Sequence, residues 1–223
     1  MFRKAYFPAL ALGVSCLALV ACETAPTIEP TVEPVVEEIV APVELSDYDR
    51  AFKTVDELVA DGNTSTAINR MSQLLRSDTI TDNQRAAALL RRGELRYSDD
   101  GYDVWGAIAD FETVSDAYPD SASAVEARSV LDIARGEATS LNGLLERPET
   151  SRTQRFQSLL RLGQHDDALD LMLSSNLQPK NEELIAMFQI GYLCVGDDQT
   201  GPVYNAVEAN GEPLELRFCD FGK

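Results

Sequence analysis

Few side chains in this 223-residue sequence combine into reactive sets. The thiols come first: Cys16, Cys22, Cys194 and Cys219. A thiol can be acylated, oxidised to a disulfide or used as a metal ligand, and compartment and spacing decide which. His165 is the only histidine. One histidine cannot build the multi-His ligand sets of zinc enzymes. The stretch Gly163-Gln164-His165-Asp166-Asp167 reads as a helix-to-helix turn with a solvated imidazole. The aspartate pairs 99/100, 166/167 and 197/198 fall at predicted turns and lack the alternating spacing of a calcium loop, so they read as solvated helix caps. Trp105, near a helix start, reads as partly buried core rather than a stacking platform. There is no phosphate loop, dinucleotide glycine motif or Gly-x-Ser-x-Gly elbow. The sequence therefore predicts no catalytic residues, no metal site and no cofactor.

The elements that position the thiols begin with the leader. Arg3 and Lys4 precede an uncharged, mainly apolar run over residues 5–21, the layout of a secretory signal peptide. Pro8 and Gly13 weaken that run as a spanning helix. It ends in Leu19-Val20-Ala21-Cys22, which resembles the lipobox of bacterial lipoproteins. The resemblance implies that Cys22 receives a diacylglyceryl group, that residues 1–21 are removed and that the new amino terminus is acylated. One acyl chain binds marginally, but each buried methylene adds about 0.8 kcal/mol, so two or three chains anchor a protein to the membrane. Glu23, rather than the Asp of the common retention signal, follows the cysteine, and this favours the outer membrane with the protein facing the periplasm. Cys16 leaves with the leader. Cys194 and Cys219 are then expected to pair as a disulfide in an oxidising envelope, two free thiols being the alternative. Closing such a loop stabilises a fold by roughly 3–4 kcal/mol in the chain-entropy model.

The chain carries 37 acids against 19 bases, a formal charge of −18. Without the leader it holds 17 bases and a charge of −20. Nucleic acid requires a basic footprint, so it is excluded as a partner. A neutral, basic or metal-screened partner is expected. Residues 22–46 form a Pro/Glu-rich linker with Pro26, Pro30, Pro34 and Pro42, and Thr27-Ile28-Glu29-Pro30 is nearly copied by Thr31-Val32-Glu33-Pro34. Proline and like charge predict a disordered, extended tether. At about 3.1 Å per residue in the polyproline II form it reaches about 70 Å.

From Asp47 the apolar spacing becomes helical. Tyr48, Ala51, Phe52, Val55, Leu58 and Val59 share one face of a first helix. Ala67, Ile68, Met71, Leu74 and Leu75 mark a second. Thr81-x-x-Gln84 and Ser151-x-x-Gln154 read as capping boxes, and Ser121 caps a helix with Val125, Ala127, Val130, Leu131 and Ala134 inside. The helices come in pairs. Gly62 precedes Ala67 by five residues, Gly163 precedes Ala168 by five, and Gly101 precedes Ala107 by six. Residues 86–121, with Leu89, Gly93 and Tyr97 and then Ala107, Phe111 and Pro119, resemble a tetratricopeptide repeat carrying about two extra turn residues. Asp110-Phe111-Glu112 and Ala117-Tyr118-Pro119-Asp120-Ser121 are similar to repeats of envelope proteins of that class.

The predicted fold class is mainly α: a tetratricopeptide-like array of α-hairpins over 47–180, preceded by the tether, with a small β appendage over 181–223. The appendage comprises a last helix over 181–188, a strand over 189–195 and a hairpin around Asn210-Gly211. The resemblance implies a non-catalytic adaptor that is held at the membrane through Cys22 and binds an envelope protein or peptide. The inner face around Arg92, Arg96 and Glu94 is the expected contact surface. The alternative is a small-ligand carrier or enzyme with its site near the β appendage.

The anchor has a direct test. Mass spectrometry of the mature amino terminus should find an acylated Cys22, and Cys22→Ser should release the protein into the soluble periplasm. A serine variant that stays on the membrane places the anchor elsewhere.

Overall fold

The computed structural model describes residues 44–174, 178–195 and 201–219. The leader, Cys22, the tether up to residue 43 and Asp197 and Asp198 lie outside the described residues. Eight helices and three strands follow in order among those described: α1 Asp47–Ala60, α2 Thr64–Leu75, α3 Asp82–Tyr97, α4 Val104–Ala117, α5 Ala122–Glu146, α6 Arg152–Leu162, α7 His165–Ser174, α8 Asn181–Gln189, β1 Leu193–Val195, β2 Tyr204–Val207 and β3 Pro213–Phe218. The chain is mainly helical with a small antiparallel sheet near its carboxyl end.

Local chemistry sets the helix ends. The Ser46, Thr81, Asp103, Ser121 and Ser151 side chains each accept a hydrogen bond from a first-turn amide and so open α1, α3, α4, α5 and α6. Thr81–Gln84 and Ser151–Gln154 form the full reciprocal box. Gly62, Gly163 and Gly191 all have positive φ after a helix, and the amides that follow them reach back to Leu58, Leu159 and Met187. This is the glycine stop that satisfies the last helical carbonyls. It also explains one departure from expectation. The stretch 189–195 is not a single strand, because α8 runs through Gln189 and stops at Gly191, so only Leu193–Val195 is extended.

α1 and α2, α3 and α4, and α6 and α7 pack as helical hairpins, while α5 packs along α4 and hands the chain to α6. Three cores result. Val55, Met71 and Leu95 lie in the first, between α1, α2 and α3. Phe111, Val114 and Leu131 lie in the second, around α4. Phe156, Met172, Met187 and Leu216 lie in the third, where α6, α7 and α8 meet the sheet. Two expectations of burial fail. α5 turns Ala124, Ala127, Leu131, Ala134 and Ala138 inward, so Val125 is 68% exposed. The alanine row lets the backbones of α5 and α4 approach closely, and valine, one position along, falls outside. Trp105 is 43% exposed, because Val104 and Ile108 take the inner face of α4.

The sheet order is β1-β3-β2, all antiparallel, with Leu193 opposite Phe218 and Ala206 opposite Leu214. Cys194 and Cys219 are disulfide-bonded with their Cα atoms 5.0 Å apart, which ties β1 to the end of β3. The Asn181 side chain donates to the Val207 carbonyl (2.9 Å) and accepts from its amide (2.7 Å), holding β2 on the start of α8.

The α3–α4 hairpin depends on the lack of a side chain at one point. A Cβ on Gly93 would lie 2.5 Å from Phe111 Cε1 and 2.9 Å from Cδ1, and Phe111 is wholly buried. Ala107 is also wholly buried. Gly93→Ala and Ala107→Phe should each destabilise the domain by about 1–3 kcal/mol through overpacking. Urea denaturation followed by circular dichroism measures this, and an unchanged midpoint in both variants contradicts the packing.

Candidate functional site

Arg92, Arg96 and Glu94 do not form one open face. Arg92 Nη2 and Nε lie 2.5 Å and 2.9 Å from Asp110 Oδ1 and Oδ2, and Arg96 Nη1 lies 2.9 Å from Oδ2. The Asp110 side chain is 4% exposed. Arg92 also donates to Ser72 Oγ and Arg96 to the Gly106 carbonyl, so the two cations join α2, α3 and α4. Arg96 pairs with Asp103 as well. Glu94 belongs to another group, with Arg91, which reaches Asp56 on α1. Burial raises the Glu94 pKa, and the charge and hydrogen bond of Arg91 only partly offset this. Asp110→Asn should cost about 3–5 kcal/mol, since it leaves the half-buried Arg92 guanidinium without its anion and Arg96 with Asp103 alone. Chemical denaturation at neutral pH checks this, and a loss below 1 kcal/mol contradicts the assignment.

His165 is also placed differently from expectation. It begins α7, and Nε2 lies 2.6 Å from the carbonyl oxygen of Tyr102. Tyr102 is the one described non-glycine residue with positive φ, at 48°. The imidazole therefore bridges the α6–α7 turn to the α3–α4 turn instead of standing in solvent. Glycine is required at 163, because a Cβ there would strike the Asp103 carboxylate as well as strain the backbone.

Beside Tyr102 lies a groove between α6 and α8, with a volume of about 330 Å³. Thr153, Phe156, Gln157, Leu160 and Arg161 supply one wall at the three- and four-residue spacing of a single helix face. Lys180, Glu182, Glu183 and Ala186 supply the other. Phe156, Leu160 and Ala186 are buried, whereas Gln157, Lys180 and Glu182 are exposed at the rim. The helix starts are clamped together. Arg152 Nη1 lies 2.6 Å from Glu183 Oε1, Glu183 also accepts from the Lys180 amide at 3.0 Å, and Lys180 Nζ lies 2.6 Å from Thr153 Oγ1. At the other end Arg161 donates to Glu137 (2.7 Å) and to the carbonyls of Ser98 (2.6 Å) and Tyr97 (2.8 Å). Burial pushes the Glu137 pKa up, but hydrogen bonds from Arg161 and Tyr97 and the Arg161 charge outweigh it, leaving the pKa lowered. That clamp is complete above the ordinary glutamate pKa and is lost as pH falls through the lowered value.

A sequence signal for this groove exists in a repeat that the pairing of glycines and alanines does not reveal. Thr81-x-x-Gln84-Arg85 and Leu89-Leu90-Arg91-x-Gly93 recur as Ser151-x-x-Gln154-Arg155 and Leu159-Leu160-Arg161-x-Gly163. In both copies the first arginine caps the preceding helix: Arg85 donates to the carbonyls of Leu75 and Ser77, and Arg155 to those of Leu145, Arg147 and Thr150. α6 thus repeats the sequence pattern of α3, and its face with Phe156, Gln157 and Leu160 is the groove wall.

Among the described residues no group of three or more His, Cys, Asp or Glu side chains is placed to hold a metal ion, and no helix is long and apolar enough to cross a membrane. Comparison with protein-family models, curated proteins and solved structures finds no match to this chain.

Proposed function

We propose that the chain is a non-catalytic, lipid-anchored envelope adaptor, built from tetratricopeptide-like hairpins, that holds an extended segment of a partner protein in the groove between α6 and α8. The observation that carries this reading is the groove itself: an apolar floor of Phe156, Leu160 and Ala186 with an exposed amide and charges of both signs along its rim. An extended peptide presents apolar side chains and backbone amides together, and such a groove matches both. The α6 wall runs from Thr153 to Arg161, about 12 Å at 1.5 Å per residue, enough for three or four extended residues. α6 is the first helix of its pair, and α8 forms the other wall of the groove. Stacked pairs leave such a face open to a partner. In this reading the lipid on Cys22 and the tether hold the domain at the outer membrane with reach into the periplasm.

The mature protein, immobilised, should retain an envelope protein at low salt. Retention should weaken towards 1 M salt, where the Debye length falls to about 3 Å. Gln157→Trp, a change at an exposed rim position, should fill the groove and reduce retention at least tenfold with helicity unchanged. Retention unaffected by that variant, or no retention at any salt, overturns the adaptor reading.

A further inference from the structure

The sequence holds two Asn-Gly pairs, Asn142-Gly143 and Asn210-Gly211. Such a pair can react with itself, because the glycine backbone nitrogen can attack the asparagine Cγ. Glycine has no Cβ to crowd that approach, and its main chain bends freely into it. Whether the reaction proceeds depends on how firmly the fold holds each amide.

The fold treats the two pairs in opposite ways. Asn142-Gly143 lies inside α5, where each amide is bonded to the carbonyl four residues back. Both residues are half-buried. The end of α5 is also pinned. Thr150 Oγ1 donates to the Leu144 carbonyl (2.6 Å), Arg155 donates to that of Leu145 (2.8 Å), and Leu141 and Leu145 pack on the core around α4. Asn210-Gly211 stands at the tip of the β2–β3 hairpin, where residues 209–213 are all exposed. Gly211 has a φ of +91°, and its amide donates to the Glu208 carbonyl at 2.9 Å. Neither Asn210 nor Gly211 belongs to a core cluster, so releasing that bond opens the turn alone.

The Asn210 side chain is held in a way that favours attack. The Glu212 amide donates to Oδ1 at 2.9 Å, and Nδ2 donates to Glu208 Oε2 at 3.0 Å. A donor on Oδ1 draws electron density from Cγ. It also stabilises the negative charge that builds on that oxygen as the new bond forms.

We propose that Asn210 is a site of self-modification, converting to aspartate and isoaspartate in the folded protein while Asn142 persists. The Gly211 nitrogen bonds to Cγ, the Cγ–Nδ2 bond breaks, and Nδ2 leaves as ammonia with the proton of the amide. Water then opens either side of the cyclic imide. One opening leaves aspartate; the other leaves isoaspartate, with the main chain running through Cγ. Both products place a carboxylate beside Glu208 in place of the amide that donates to it. The isoaspartate also lengthens the turn between Glu208 and Glu212, whose amide and carbonyl close the hairpin. The proposal is independent of the adaptor reading, because it uses no residue of the groove between α6 and α8.

The test is peptide mapping by mass spectrometry of the full-length protein aged at 37 °C and pH 7.4, beside the same protein unfolded in urea. Conversion reads as a gain of about 1 Da, amide to acid, and fragmentation distinguishes isoaspartate. In urea both pairs should convert at similar rates. In the folded protein Asn210 should convert on the order of tenfold faster than Asn142, a ratio set by the cost of opening each site. Ageing at pH 9 should accelerate the gain at Asn210, since the attacking nitrogen must lose its proton. Three results overturn the proposal: Asn210 intact in the folded protein when the unfolded chain has converted, equal rates at Asn142 and Asn210 in the folded protein, or a gain at Asn210 without isoaspartate.

Discussion

The upper half of the domain depends on one buried carboxylate. Asp110 sits on the inner face of α4 with Arg92 and Arg96 of α3 against it. An isolated charge at such a depth is not tolerated, so the aspartate fixes where both arginines go and thereby the register of α3 on α4. Through Ser72 the Arg92 guanidinium also reaches α2. Gly93 stands on α3 between the two arginines and admits the Phe111 ring, one residue after Asp110 on α4. Charge pairing and close packing thus act at the same contact, and neither is satisfied if the helices slide by one residue.

The lower half repeats the device with different residues. Glu183, 2% exposed, is paired with Arg152, which joins α6 to α8. Arg161 joins α6 to α5 and to the end of α3. These arginines bond to neighbouring helices, so their charge serves contacts inside the fold. That distribution shapes function. The surface around Arg92 and Arg96 is occupied by internal bonds, while the clamps at the two ends of α6 hold it beside α8 and keep the groove between them open. Rigid walls lower the ordering cost of binding an extended segment.

Much of this was legible in the sequence. The helix faces, the two capping boxes and the hairpin turns follow from local spacing and composition, because each is a short-range rule; the buried Gly93 and Ala107 follow from the likeness to a helical repeat, and the Cys194–Cys219 pairing from the expected oxidising compartment. What stayed hidden depends on long-range geometry. Periodicity gave Val125 the inner face of α5, but close approach to α4 favours the alanine row one residue away. Gly191 did not read as a helix stop, because the residues after it are β-prone. Arg92 and Arg96 look like a solvated stripe until Asp110 is found opposite them. The groove lies between elements about 30 residues apart in the chain, and only the repeated Gln-Arg and Leu-Leu-Arg-x-Gly pattern hints that α6 is built like α3.

The central claim is that the face between α6 and α8 is where a partner sits, while the arginines of α3 serve the fold. A photo-crosslinking amino acid placed at position 157, and separately at exposed position 125 on α5, tests this in living cells. The account predicts a discrete adduct with an envelope protein from position 157 and none from position 125. Equal adducts from both positions, or an adduct from position 125 alone, would contradict it.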